Sequence, residues 1–154
     1  MNYLIQLTGK EIDGSPVSCL ASQLITVLEN IRQFVGELSW FAADVDSGAK
    51  MAFERHGPLT LIGSTQRLIS VLREVDQLWG GVFVGVKGSA LPARIREVID
   101  TFDDFNVDLG DSVCEIRACD TTSLDILVKQ EYLALSIAES FGGENKGINI
   151  VVCR

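Results

Sequence analysis

The chain has 154 residues, of which 47 % are hydrophobic and 22 % are charged. This length fits one domain, predicted to span residues 1–154, and the apolar content excludes a disordered chain. Thirteen basic residues against twenty-one acidic ones give a formal charge of −8. That balance disfavours nucleic acid and anionic membranes as ligands and favours a basic protein partner.

The sequence shows no sign of export or of a membrane span. No uninterrupted apolar run approaches the roughly 18 to 20 residues that a span requires. The N-terminal stretch lacks the basic and apolar regions of a secretory signal, so we expect a cytoplasmic protein.

The cysteines predict ordinary reduced thiols rather than a metal site. Cys19, Cys114, Cys119 and Cys153 form no C-x-x-C pair, and the chain has a single histidine. Structural zinc takes close-set thiolates and imidazoles. We therefore expect no zinc, mostly buried thiols and no cofactor.

The first part of the chain predicts a strand followed by a long helix. Asn2 to Leu7 alternates and is interpreted as a strand, and a turn follows at Gly9 to Gly14. Ser15 and Pro16 are typical of a helix start, as N-cap and first helical residue. Apolar residues at helical spacing predict a helix from about Pro16 to Val35.

The middle of the chain predicts further strands and a helix. Leu38 to Asp46 fits a strand in which Trp40, Ala42, Asp44 and Asp46 share one face and Phe41, Ala43 and Val45 share the other. Residues 47–58 show no steady period and are interpreted as a loop. The following elements are predicted to be a strand at Leu59 to Ile62, a helix at Thr65 to Gln77 and a strand at Trp79 to Val86.

The last part predicts a helix, a hairpin, a helix and a closing strand. Ile95, Val98, Ile99, Phe102 and Phe105 recur at helical spacing. Ser112 to Lys129 alternates on both sides of a polar stretch and indicates a β-hairpin. A helix at Gln130 to Phe141 and a strand at Gly147 to Cys153 complete an α+β fold. We expect a mixed or mainly antiparallel sheet of six to seven strands covered by about four helices.

The hairpin register follows from its alternation, because directly opposed residues share a face of the sheet. If Ala118 and Leu124 both face the core, Ala118 cannot pair with Ser123 and should oppose Leu124. This register pairs Ile116 with Ile126, Cys114 with Val128 and Glu115 with Leu127. On the outer face Arg117 opposes Asp125, and we expect an exposed pair contributing about 0.2 to 1 kcal/mol.

The residues from Asp104 to Glu115 partly match the calcium-binding loop of an EF-hand. Oxygen-bearing side chains occupy loop positions 1, 3, 5 and 12. The glycine required at position 6 is replaced by Leu109, however, and Asp111 stands at the usually apolar position 8. An ordinary acidic turn is therefore the preferred interpretation.

The sharpest charge asymmetry in the chain is an acidic stretch without a basic residue. It suggests an anionic ridge on the outer side of the third helix and the loop after it, and this ridge is the candidate binding site. Its carboxylates belong to Glu97, Asp100, Asp103, Asp104, Asp108 and Asp111. A solvated helix face is the alternative interpretation.

A second candidate site combines His56 with Asp44 or Asp46, and with Glu54 beside the histidine. These groups could form an acid–base pair or part of a ligand site if the loop folds over the strand. A lone histidine beside a Gly-Pro turn is also common without any function. No nucleophile elbow, dinucleotide motif or P-loop is present.

These observations favour a non-enzymatic binding protein of bacterial or phage type. The leading hypothesis is an immunity protein or another inhibitor that neutralises a basic protein partner. The alternative is a small enzyme or ligand-binding domain that uses Asp44, Asp46 and His56.

Overall fold

The protein adopts an α+β fold, as predicted, in which a single antiparallel sheet of seven strands is packed against helices. The computed structural model describes residues 1–47, 59–88, 100–101 and 103–154. The strands are β1 (Asn2–Leu7), β2 (Ser39–Ser47), β3 (Thr60–Ser64), β4 (Leu78–Val86), β5 (Ser112–Cys119), β6 (Ser123–Val128) and β7 (Ile150–Cys153). The helices are α1 (Gly9–Ile12), α2 (Ala21–Val35), α3 (Thr65–Leu72) and α4 (Glu131–Ser140), and a 3-10 helix covers Gly143–Lys146.

The strand order is β3-β2-β4-β5-β6-β1-β7, and each neighbouring pair is antiparallel. The first strand of the chain is inserted between the two last ones. In the described part of the chain, no helix has both the length and the apolar character needed to cross a membrane.

The two faces of the sheet are covered differently. The helical face carries the main core, in which apolar residues of α2, α3 and α4 pack on alternate strand residues such as Ile5, Phe83 and Ile116. The opposite face carries two smaller apolar clusters. One is built on Phe41, Val82 and Val84, and the other joins Leu4 and Leu127 to Leu109.

Helix α2 begins at Ala21, so the prediction of a start at Pro16 is wrong. Tertiary hydrogen bonds hold the preceding residues out of the helix, since Leu20 forms a β-bridge with Gln77 and Leu78 N–H donates to the carbonyl of Cys19 at 2.9 Å. The side chain of Gln23 accepts from Leu20 N–H at 3.0 Å and caps the true start. Helix α3 ends at Leu72, earlier than the predicted Gln77.

The third predicted helix is not observed where the structure describes it. Residues 100–101 and 103–105 form turns and irregular backbone. Residues 89–99 and Phe102 lie outside the described residues. The apolar spacing therefore does not continue as a helix through Phe105, which packs on the sheet instead.

The predicted faces of β2 are correct only up to Ala43. Trp40 and Ala42 enter the main core and Phe41 and Ala43 lie on the opposite face, but Val45 also enters the main core. The reason is a bulge at Asp44, whose φ of 52° accompanies a register shift against β4. One extra residue in a strand reverses the faces of the residues beyond it.

The hairpin register is confirmed at each predicted pair. Ile116 opposes Ile126, Ala118 opposes Leu124, Cys114 opposes Val128 and Arg117 opposes Asp125. The predicted exposure of the last pair is wrong, because Arg117 and Asp125 are 0 % and 2 % exposed. This face of the hairpin is covered by residues 103–109 and is not solvated.

Candidate functional site

Five of the six predicted acidic residues lie on an irregular segment that covers the face of the sheet opposite the helices. We name residues 100–101 and 103–111 the acidic strap. Asp100, Asp103, Asp104, Asp108 and Asp111 are all part of it, and Glu97 lies outside the described residues. The structure therefore brings five of the six predicted carboxylates together, on a strap rather than on a helix.

The strap is fastened to the sheet by the buried side chain of Arg117. Its guanidinium donates to the carbonyl oxygens of Asp103 and Asp104, the latter at 3.2 Å. Its Nε donates to the carboxylate of Glu115 at 2.8 Å, and Glu115 is itself buried. The ring of Phe105 lies over the guanidinium with its centroid 5.1 Å from Cζ. Charge, hydrogen bonds and a cation–π contact thus act together at one residue.

A second anchor is Asn2, at the start of β1, which is 3 % exposed. Its side-chain amide donates to the carbonyl oxygens of Phe105 at 3.0 Å and Val107 at 2.7 Å. Leu109 packs between Leu4 and Leu127 in the same region. Both hydrogen bonds are partly buried, and they satisfy these carbonyl oxygens and hold the strap against β1.

The bulge at Asp44 provides the third anchor. The Asp44 carboxylate accepts hydrogen bonds from Thr101 N–H at 2.9 Å and from Thr101 Oγ1 at 2.7 Å. Thr101 Oγ1 in turn accepts from Gly81 N–H at 3.0 Å. The positive φ of Asp44 turns its carboxylate to this face, and the buried Thr101 links two neighbouring strands to the strap.

Several strap carboxylates also shape its turns. Asp104 Oδ1 accepts from Asn106 N–H at 3.0 Å, and Asp108 Oδ1 accepts from Gly110 N–H at 2.9 Å. These are the local bonds by which aspartate favours tight turns. Asp100, Asp104, Asp108 and Asp111 are exposed. The strap therefore presents carboxylates to solvent while its carbonyl oxygens are bound from beneath.

The partial calcium motif is divided between different structures. Glu115, which would supply the twelfth position, lies buried in β5 against the guanidinium of Arg117. Asp104 and Asp108 accept backbone hydrogen bonds at two separate turns. Among the described residues, no group of three or more His, Cys, Asp or Glu side chains is arranged to hold a metal ion.

The alternative site is divided in a similar way. Asp44 holds Thr101, which gives it a structural contact on the covered face of the sheet. Asp46 follows the bulge and opposes Gly80 of β4. His56 and Glu54 lie outside the described residues. Of the residues in this hypothesis that the structure describes, Asp44 therefore serves as an anchor of the strap.

The helical face carries a groove of about 520 Å³ between α1, α2 and the end of α4. Glu11, Glu29 and Glu139 contribute carboxylates to its wall, and Phe141 lines it as well. Lys146 Nζ donates to the carbonyl oxygen of Glu11 at 3.3 Å. Among the described residues, none of the sequence-predicted site residues lines this groove.

The thiols of buried Cys19 and Cys114 and of partly buried Cys119 are held in the protonated form. Burial raises the pKa of Cys19 to about 11 and the pKa values of Cys114 and Cys119 to about 12, from an ordinary value of 9.0. Nearby carboxylates act in the same direction, Glu115 on Cys114 and Asp125 on Cys119. The thiolate is the nucleophilic form, so these cysteines are poor nucleophiles at neutral pH.

We expect the free energy of unfolding to fall as the pH rises from about 9 toward 12. In this range the unfolded chain loses the Cys114 proton while the folded chain retains it, because the folded pKa is about 12. Each such thiol lowers stability by about 1.4 kcal/mol per pH unit, and the contribution is fully present below pH 9. Urea denaturation across this range measures the slope. C114A should reduce the slope by the share of one thiol, whereas an equal slope in both proteins would contradict the buried, protonated Cys114.

Two of the three anchors were missed by the sequence analysis. Arg117 was assigned to an exposed pair and Asn2 to the start of a strand. The alternation of Phe105, Val107 and Leu109 was an available signal, because apolar residues at every second position indicate an extended segment lying on an apolar surface.

Fold and site together define an α+β protein with helices on one face of an antiparallel sheet and an anchored acidic strap on the other. In comparisons with known proteins, the chain matches no protein-family model, no curated protein and no solved structure.

Proposed function

We propose that this chain is a non-enzymatic binding protein that neutralises a basic protein partner through the acidic strap, in the manner of an immunity or inhibitor protein. The observation that carries the proposal is the division of the strap into two sides. Its carbonyl oxygens are bound by buried Arg117 and Asn2. Four of its aspartates, Asp100, Asp104, Asp108 and Asp111, are exposed.

Anchoring matters because a binding surface that is already ordered loses less conformational freedom when a partner docks. The hydrogen bonds to Arg117, Asn2 and Asp44 fix the strap before any partner arrives. The exposed carboxylates then act from defined positions. Such an arrangement favours recognition of a complementary pattern of Lys and Arg side chains.

The net charge supports the same proposal at longer range. A formal charge of −8 attracts a basic protein and raises the rate of encounter, most strongly at low salt. Proteins that act on nucleic acid are basic because they contact phosphate. An acidic inhibitor can cover such a surface without any catalytic group of its own.

The test compares two variants with equal charge changes. The strap variant combines D100N, D104N, D108N and D111N. Asparagine retains a side-chain oxygen that can accept the turn hydrogen bonds now made by Asp104 and Asp108. The control variant combines E74Q, D76N, D120N and E144Q, four exposed acids outside the strap. Each variant loses four negative charges.

The partner is captured from extracts of the native cells with the tagged wild-type chain, purified, and used for stopped-flow association with all three proteins. We expect the strap variant to associate at least about tenfold more slowly at low salt, and the control variant to remain within about threefold of the wild type. Equal slowing of both variants would show that net charge alone acts. Capture of an acidic partner would contradict the proposal directly.

A further inference from the structure

Strand β7 forms one edge of the sheet in the described part of the chain. It pairs with β1 through four consecutive residues without a register shift. The backbone groups on its other side are therefore directed away from the sheet. An edge of this kind is a template for a further strand unless the sequence protects it.

The opposite edge, β3, carries protection that β7 lacks. The pairing of β3 with β2 is interrupted by a bulge, and Gly63 has a φ of 127°. Helix α3 also begins immediately after β3, at Thr65. Strand β7 has the sequence Ile-Val-Val-Cys, without a charge, a proline or a bulge. Bulges and charges are the usual means of preventing edge pairing.

Apolar side chains are exposed beside this unprotected edge. Val151 and Val152 are 47 % and 45 % exposed, and Tyr132 and Leu135 of α4 are 61 % and 49 % exposed. Helix α4 packs over β6, β1 and β7, next to α2. Ser140 bonds Asn30 of α2, and Leu135 lies about 140° around the helix from Ser140, on the flank away from α2. Helix α4 contacts β7, so both elements expose apolar side chains at this end of the sheet.

The charge of this edge distinguishes it from the acidic strap. Residues 147–154 contain no Asp or Glu, although the chain has twenty-one of them. A basic partner gains no electrostatic attraction from such a segment. A second copy of the chain, in contrast, meets no like charge there, because the only charged side chain is that of Arg154.

We propose that two copies of the chain pair antiparallel through β7 about a two-fold axis at Val151. Directly opposed residues share a face of the sheet. The axis must therefore lie where one residue opposes the same residue of the other copy, and not midway between two consecutive residues. An axis at Val151 places Ile150 opposite the partner copy's Val152 and joins apolar residues only. An axis at Val152 would place Ile150 opposite Arg154 of the other copy.

This pairing creates a continuous sheet of fourteen strands, twice the seven of one chain. A two-fold axis perpendicular to the sheet leaves the helices of both copies on one face and both acidic straps on the other. The two α4 helices then approach each other across the junction. Because like charges on the straps repel, added salt should strengthen the dimer.

The experiment measures the mass of the full chain by sedimentation equilibrium from micromolar to submillimolar concentration. We expect twice the chain mass of 16.8 kDa and tighter association at higher salt. V151K places two lysines against each other at the axis and should raise the dissociation constant by at least about tenfold. L61K is the matched control, because Leu61 is 55 % exposed on the other edge.

Circular dichroism and melting curves establish that both variants remain folded. A wild-type chain that stays monomeric at every concentration would overturn the proposal, because β7 would then not pair with a second copy. So would a dimer that is dissociated by L61K and unaffected by V151K. A wild-type dimer sensitive to V151K alone supports pairing through β7.

Discussion

Replacing Arg117 with methionine is expected to lower the free energy of unfolding by about 3 to 5 kcal/mol. The guanidinium is 0 % exposed and holds Glu115 at 2.8 Å as well as the carbonyl oxygens of Asp103 and Asp104. Methionine fills a similar volume without a charge or a donor. The carboxylate of Glu115 then loses its buried cation and the strap loses its main anchor. Urea denaturation measures the change.

Two further variants separate the causes of this loss. R117M/E115Q should recover stability relative to R117M, because glutamine removes the buried negative charge. R32M is the control, since Arg32 forms an exposed ion pair with Glu37 at 3.2 Å that should contribute at most about 1 kcal/mol. Hydrogen exchange of residues 103–111 should rise in R117M. An R117M protein with wild-type stability would show that the strap is fastened by other contacts.

Replacing Trp40 with alanine is expected to destabilise the protein by about 3 to 5 kcal/mol. The indole is 1 % exposed in the main core, and its N–H donates to Thr65 Oγ1 at 2.9 Å, at the first residue of α3. The substitution leaves a cavity between β2 and the helices and removes the partner of a buried hydroxyl. Thermal and urea denaturation both report this loss.

The chain provides a matched control in its second tryptophan. Trp79 is 46 % exposed on β4, so W79A should change stability by less than about 1 kcal/mol. Gly85 opposes Trp40, and a Cβ there would lie 3.0 Å from the indole ring. G85A should therefore destabilise the wild type by about 1 to 3 kcal/mol, and less in a W40F background. Equal losses for W40A and W79A would contradict the assigned packing.

The hairpin could be predicted from sequence because two regular alternations flank a polar turn. The register followed from the rule that directly opposed residues lie on the same face of the sheet. The bulge at Asp44 could not be predicted, because Val45 continues the alternation of Phe41 and Ala43 in the sequence. The Asp44 carboxylate is bound by Thr101, which lies 57 residues away in the sequence. No local pattern around Asp44 could therefore indicate this contact.

The acidic stretch could be recognised from sequence, but its irregular backbone and its position over the sheet could not. Spacing of apolar residues around Phe105 fits a helix and an extended segment alike when it is short. Alternation places Arg117 opposite Asp125, yet it does not show whether another segment covers that face. The turn-forming roles of Asp104 and Asp108 were easier to predict from sequence, because each aspartate accepts from the N–H two residues further along the chain.

The insertion of β1 between β6 and β7 has a consequence for folding during synthesis. Strand β1 precedes both of its partners in the chain, so it can pair only after residues 123–128 and 150–153 have been synthesised. Until then its apolar residues, among them Ile5 and Leu7, have no sheet to join. Long-range pairing of this kind slows folding and exposes the growing chain to aggregation. Asn2 also bonds carbonyl oxygens that lie 103 and 105 residues away, so this anchor of the strap can form only after residues 105–107 have been synthesised.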